Sequence, residues 1–251
     1  MITSSTPSDW QALQSNVGMI LKQCGFDVEI EKKIKIARGK VKIDVYAEEI
    51  VKGRKYSIVC ECKYWKSKVP QSIIHSFRTV VSDIGANVGY IISLKGFQSG
   101  AFDASDLTNI KLVTWEQFQD AFCKTWLEQY LSPEITEELD PILGYTEPLV
   151  PTWFTKVPDN EVEILKELRE KYIPFGMLMA MFTPYSLSFL RGTGFPKLPL
   201  RDRLKRDSLS LDKIPSEILD ATGYREFLEV CMEYGLKGIS EFKAVKERNN
   251  V

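Results

Sequence analysis

Residues 40–49, KVKIDVYAEE, and residues 56–65, YSIVCECKYW, decide how this chain is read. Both alternate apolar and polar side chains, the period of a half-buried β-strand. In the first, Val41, Ile43 and Val45 share one face, and Lys42, Asp44 and Tyr46 the other. In the second, Ile58, Cys60 and Cys62 face one way, and Val59, Glu61 and Lys63 the other. A polar turn around KGRK at 52–55 makes the pair a hairpin, with Asp44, Glu61 and Lys63 on a common face. Two carboxylates and a lysine on one sheet face are costly to bury for structure alone. They suit a hard divalent cation such as Mg²⁺, which takes one or two carboxylates together with waters and phosphate oxygens. Lys63 is then placed to orient a water or to stabilise developing charge. Taken alone, the same pattern is also that of an exposed strand ion pair.

Working outward, FDVEIEKKIKI precedes the hairpin as another alternating strand, closed by a turn at RGK, 38–40. Before it, residues 9–24 carry apolar residues at helical spacing, with Asp9 as N-cap and Gly25 at the stop. After the hairpin, PQSIIHSFRTVVSDI from Pro70 reads as a helix with proline in its first turn. GANVGYIISL is a glycine turn and a continuous apolar strand of the kind buried in α/β sheets. A short helix near 97–105, the strand NIKLVTW and a helix over 116–131 complete the order α-β-β-β-α-β-α-β-α. That order predicts one mixed-sheet α/β domain ending near residue 130. Residues 131–160 hold five prolines and many acids and read as a linker or an extended wrapping segment. The remainder, 161–251, reads as mostly helical: EVEILKELREKY, a turn, GMLMAMF, a proline-rich loop, then helices near 215–234 and 238–247.

The composition is that of an ordinary globular protein, 44% hydrophobic and 27% charged, which excludes a disordered tail or a collagen-like chain. No apolar run is long enough to span a bilayer, and the N-terminus lacks the features of a signal peptide. Five cysteines, an odd number, fit free thiols in a reducing, cytoplasmic setting. A single histidine, His75, argues against a Cys/His zinc site. The net charge of −1 hides an asymmetry, because residues 31–68 hold 12 basic and 5 acidic side chains. Such a segment can meet a polyanion, or simply be a solvated lysine-rich hairpin.

Residues 9–120 resemble the Mrr-like branch of the PD-(D/E)xK nuclease superfamily. The amphipathic helix ending in CGFDVE, the KVKIDVYAE strand, VCECKYW and GYIISLKGFQSGAFDAS carry the resemblance. Asp44 stands at the family's metal-binding aspartate, and Glu61 and Lys63 at its E-x-K element. Gly89, Ser93, Phe97 and Ala101 stand at the matching places of the strand-loop-helix signature, and Gln71 and Phe77 in the helix after the catalytic strand. The resemblance implies a restriction-endonuclease-like mixed sheet flanked by helices. It also implies a Mg²⁺-dependent endonuclease acting on DNA, with Mn²⁺ able to substitute, often in restriction of foreign DNA. Asp44 and Glu61 would be metal ligands, the Cys62 carbonyl a further one, and Lys63 and Gln71 members of the catalytic set. In one departure, relatives place a Glu in the first helix, where this chain has only Gln11 and Gln14. That leaves the metal number open, and one metal fits.

Lys40, Lys42, Trp65, Lys66 and Lys68 flank these strands and are candidates for DNA contact. Residues 191–206 carry six basic residues and one acid, making Arg201, Arg203, Lys205 and Arg206 candidates for a second contact. A solvated loop and helix is the competing reading there. A homodimer is the expected form, since two antiparallel strands are cut most simply by two sites related by a two-fold axis. No membrane association is expected; residues 131–251 are open to DNA recognition, oligomerisation or a partner protein of a defence operon. A non-catalytic binding module with the same fold, or an RNA or repair nuclease, are the alternatives.

Overall fold

The computed structural model describes residues 1–36, 39–184, 194–204 and 210–250. The chain divides into two compact units, Ser5–Gln129 and a second made of Met1–Ser4 with Tyr130–Val251.

In the first unit the alternating stretches form a five-stranded sheet of order β1-β2-β3-β4-β5. β1 (Asp27–Ile36), β2 (Gly39–Val51) and β3 (Arg54–Lys63) run antiparallel as two successive hairpins. β4 (Val88–Ser93) and β5 (Ile110–Thr114) continue the sheet in parallel. The fold is thus a mixed sheet flanked by helices, as expected. α1 (Trp10–Gln23) starts where the Asp9 carboxylate accepts the Ala12 N–H at 2.8 Å, and Gly25 follows it at φ +94°. α2 (Gln71–Ile84) presents Ile74, Phe77 and Val81 to Val59, Ile91 and Ile110. Gly89 lets that helix approach β4, because a Cβ there would stand 2.7–2.9 Å from Val81, Phe77 and Ile110. α3 (Ser99–Ser105) adds Ala101 and Ala104 to the same core. α4 (Trp115–Trp126) begins on a capping box between Thr114 and Gln117. It sets Phe118 and Phe122 with ring centroids 5.8 and 5.7 Å from Tyr90.

The second unit is helical. A wider turn at Leu127–Leu131 leads into α5 (Ser132–Glu138) and α6 (Asp140–Thr146), and a 3₁₀ turn covers Thr152–Lys156. Residues 131–160 are therefore not an extended linker. Ile135, Leu139 and Ile142 are fully buried, and Trp153 and Phe154 nearly so. Pro141, Pro151 and Pro158 sit at helix starts, where a missing N–H costs nothing. α7 (Asp159–Ala180) runs through Pro174 without the expected turn. Buried Tyr172, Phe175 and Leu178 on either side outweigh the local cost of proline. A 3₁₀ turn at Leu211–Lys213 and α8 (Ser216–Asp220) precede α9 (Tyr224–Arg248). α9 is one helix where two were expected. Gly238 is kept inside it for close packing, since a Cβ there would meet Tyr172 at 2.8 Å and Ile142 at 2.9 Å. Residues Met1–Ser4 complete this unit: Ile2 is fully buried and its carbonyl accepts the Arg225 N–H at 2.8 Å. Among the described residues, no helix is long and apolar enough to cross a membrane.

Candidate active site

The β2–β3 ladder ends at Val45↔Cys60. One step further, Asp44 stands across from Glu61, and there the pairing gives way to a side chain. The Cys62 N–H donates to Asp44 Oδ2 at 2.8 Å, the place a main-chain acceptor would fill in a continued ladder. Asp44 therefore closes the ladder and is fixed by it. β3 stays in register with β4 on its other side, pairing Glu61 with Ile91 and Lys63 with Ser93. Glu61 and Lys63 are thus held on one side by a parallel ladder and open toward β2. Ser93, fully buried, ties off the loop beyond by donating to the Gly96 carbonyl at 3.1 Å and accepting the Lys95 N–H at 3.2 Å.

The electrostatics follow from this placement. Burial pushes the Asp44 carboxyl above its ordinary range, and the nearby Glu61 pushes it further. The Cys62 N–H and the Lys63 ammonium pull the other way without reversing the shift. Glu61 is ion-paired with Lys63, and their side chains are 25% and 14% exposed. The same ammonium lies 5.2 Å from the centroid of the Trp65 ring. The arrangement offers two converging carboxylates, one of them short of positive charge, beside a lysine with donors to spare. A divalent cation fits that set: it would offset the repulsion between Asp44 and Glu61 that the fold leaves uncompensated. Among the described residues no cluster of three or more His, Cys, Asp or Glu forms a ready-made metal cage.

Asp44, Glu61 and Lys63 come together as the alternation implied. Cys62 lies between them with its thiol in the core and raised far above its usual pKa by burial. Gln71 stands in the first turn of α2, its amide nitrogen 3.1 Å from the His75 Nε2. Trp65 is exposed at 39%, as are Lys66 and Lys68 on the segment after it, and Tyr64 is tied down by donating to the Ser8 carbonyl at 2.7 Å. Lys40 and Lys42 are exposed on β2. Arg201 is turned onto Asp220 by a forked ion pair, and Arg203 is exposed. Lys205 and Arg206 lie outside the described residues. Neither Gln11 nor Gln14 is among the groups that act on Asp44.

One residue escaped the reading of the sequence. Glu31, at φ +57°, follows the β1–β2 register to the position across from Asp44 and raises its pKa further. It is paired with Lys42 at 2.7 Å. The observed register, with Ile36 across from Gly39, sets 31 against 44, whereas a turn centred on 38–40 would have set 34 there. A cavity of about 660 Å³ lies between α2 and the Leu107–Asn109 turn, lined by none of these residues.

Residues 7–122 match a family model described as Restriction endonuclease, for the Mrr catalytic domain. The chain is also similar to the crystal structure of a protein of unknown function, AF1548, at 14% identity and a TM-score of 0.39, covering 92% of this chain and 99% of that one. No curated protein matches it. Asp44, Glu61 and Lys63 all fall inside the span that is similar to this family.

Proposed function

We propose that the chain is a Mg²⁺-dependent endonuclease that hydrolyses DNA phosphodiester bonds in the restriction of foreign DNA. The observation that carries this reading is the Asp44–Glu61 pair across the end of the β2–β3 ladder, with Lys63 two residues on. Asp44 and Glu61 would hold the ion, with the Cys62 carbonyl as a further oxygen between them. Bound there, a divalent ion supplies Lewis acidity toward a phosphate oxygen and charge to offset the leaving group. Asp44 brings a carboxylate kept in place by the Cys62 amide, so no reorganisation is needed when charge develops. Glu61 holds the Lys63 ammonium, leaving the remaining N–H donors of Lys63 for an attacking water or a phosphate oxygen. Trp65 beside Lys63 gives a flat, exposed face to a base or sugar. The homodimer, the cytoplasmic setting and a partner protein for the helical unit belong to the same proposal.

The test is incubation of supercoiled plasmid with the purified protein. Nicking or linearisation is expected with Mg²⁺ or Mn²⁺, none with a chelator, and none with Ca²⁺, a poorer match to so small a ligand set. Asp44→Ala and Lys63→Ala, folded by circular dichroism, are expected to be inactive. Cleavage at the wild-type rate by either variant would overturn the assignment.

A further inference from the structure

β2 is 13 residues long, yet β3 pairs with it only from Val45 onward. The rest of β2 pairs with β1 alone, so the β1–β2 hairpin continues past the sheet as a two-stranded arm starting at Asp44. Its register sets Lys33 against Lys42 and Lys35 against Lys40. Residues directly opposite in an antiparallel pair point to the same side, so all four lysines share one face. Lys42 of that row is ion-paired with Glu31, whose register position is across from Asp44. All four are exposed. The other face carries Ile34 and Val41, half-buried against the core under α2, so the lysine face is the outward one.

Like charges directly across a ladder destabilise it. Among the described residues one acid, Glu31, pairs with this row, through Lys42. Lys33, Lys35 and Lys40 remain as a row of positive charge leading away from the reacting carboxylates. Resting on the nuclease reading above, we infer that this arm is a phosphate rail, holding the backbone of duplex DNA on one side of the phosphate being cut. The dimensions agree. Side chains on one strand face recur every ~6.8 Å, and phosphates of one DNA strand rise ~3.4 Å each along the axis. Lysines two residues apart thus stand about two phosphates apart. From Asp44 to Lys40 the arm covers about four base-pair rises. An ordered like-charge row with a polyanion as its partner accounts for both the exposure and the repulsion.

The experiment compares wild type with the triple variant Lys33→Ala, Lys35→Ala, Lys40→Ala, leaving the Glu31–Lys42 pair intact. Binding of a short labelled duplex is measured with chelator present, over a range of salt. Every lysine–phosphate pairing that is removed lowers the slope of log K against log salt by roughly 0.9, so the three together are expected to lower it by about 2 to 3. With Mg²⁺, the half-saturating DNA concentration rises while the rate at saturation is kept. The metal-free variant melts no lower than wild type, because only repulsion has been removed; a lysine row serving structure would melt lower. An unchanged salt slope overturns the inference, and aggregation alongside it would assign the lysines to guarding the β1 edge. If the wild type cuts DNA and the triple variant keeps its salt slope, the rail alone fails. A wild type that neither binds nor cuts DNA fails the nuclease reading as well.

Discussion

Asp44 is asked to do two things, and they conflict. It closes the β2–β3 ladder through the Cys62 amide, and it holds a charge that burial and Glu61 both disfavour. Asn in its place keeps an oxygen for that amide and drops the charge. Asp44→Asn is therefore expected to raise the melting temperature of the metal-free protein at neutral pH. The sign follows from the direction of the shift: a carboxyl whose folded pKa lies above its unfolded value, ~3.9, costs stability once it ionises. The cost is full above the folded pKa and absent below the unfolded one, so the advantage of Asn should shrink as pH falls through the carboxylate range. Thermal melts at a series of pH values read this directly; an advantage constant with pH would trace to packing instead. The stabilisation that Mg²⁺ gives the wild type should be missing in Asp44→Asn. Lys63→Ala should keep that stabilisation while losing cleavage, because the ion's ligands remain and the electrostatic donor does not.

Elements are decided by which neighbour a residue meets. Gly89 sits where α2 lies against β4, and Ala there puts a methyl within 2.9 Å of three apolar side chains. Gly89→Ala should cost about 1–3 kcal/mol in chemical denaturation, the penalty for overpacking a dense core. Thr114 caps α4 and is reciprocated by Gln117, so Thr114→Ala should cost about 1 kcal/mol. The α/β unit was legible because its information is local: period-two strands, a capped first helix and a glycine turn before β4. The helical unit was less so. Pro174 and Gly238 read as breaks by propensity, and only packing against residues distant in sequence keeps α7 and α9 continuous. The site divides in the same way. Asp44, Glu61 and Lys63 followed from strand parity, whereas Glu31 needed the observed register, since a turn centred on 38–40 would have set residue 34 across from Asp44. The ladder's end at Val45, which makes Asp44 a main-chain partner, depends on where two strands part and left no mark in composition.

At the scale of the whole molecule, stoichiometry decides what kind of cut is made. One site of this kind cuts one strand, so double-strand breaks call for two copies related by a two-fold axis. Light scattering is expected to give twice the 28.7 kDa chain mass, and plasmid is expected to linearise without a long-lived nicked form. A monomer that linearises plasmid in one encounter would contradict this. Arg201 is already engaged with Asp220, so its replacement by Ala should leave the salt dependence of DNA binding as it was.

Ile2, Thr3 and Ser4 settle on α9, with Thr3 hydrogen-bonded to Glu226, 223 positions away. On the ribosome this imposes an order. At roughly 5–20 residues per second, Thr3 waits about 11–45 s for the helix that receives it. The sheet unit has all its residues by then and can fold while those few at the front stay unhoused. A change at Ile2 or Thr3 would therefore be felt in the helical unit and not in the sheet that adjoins them in sequence.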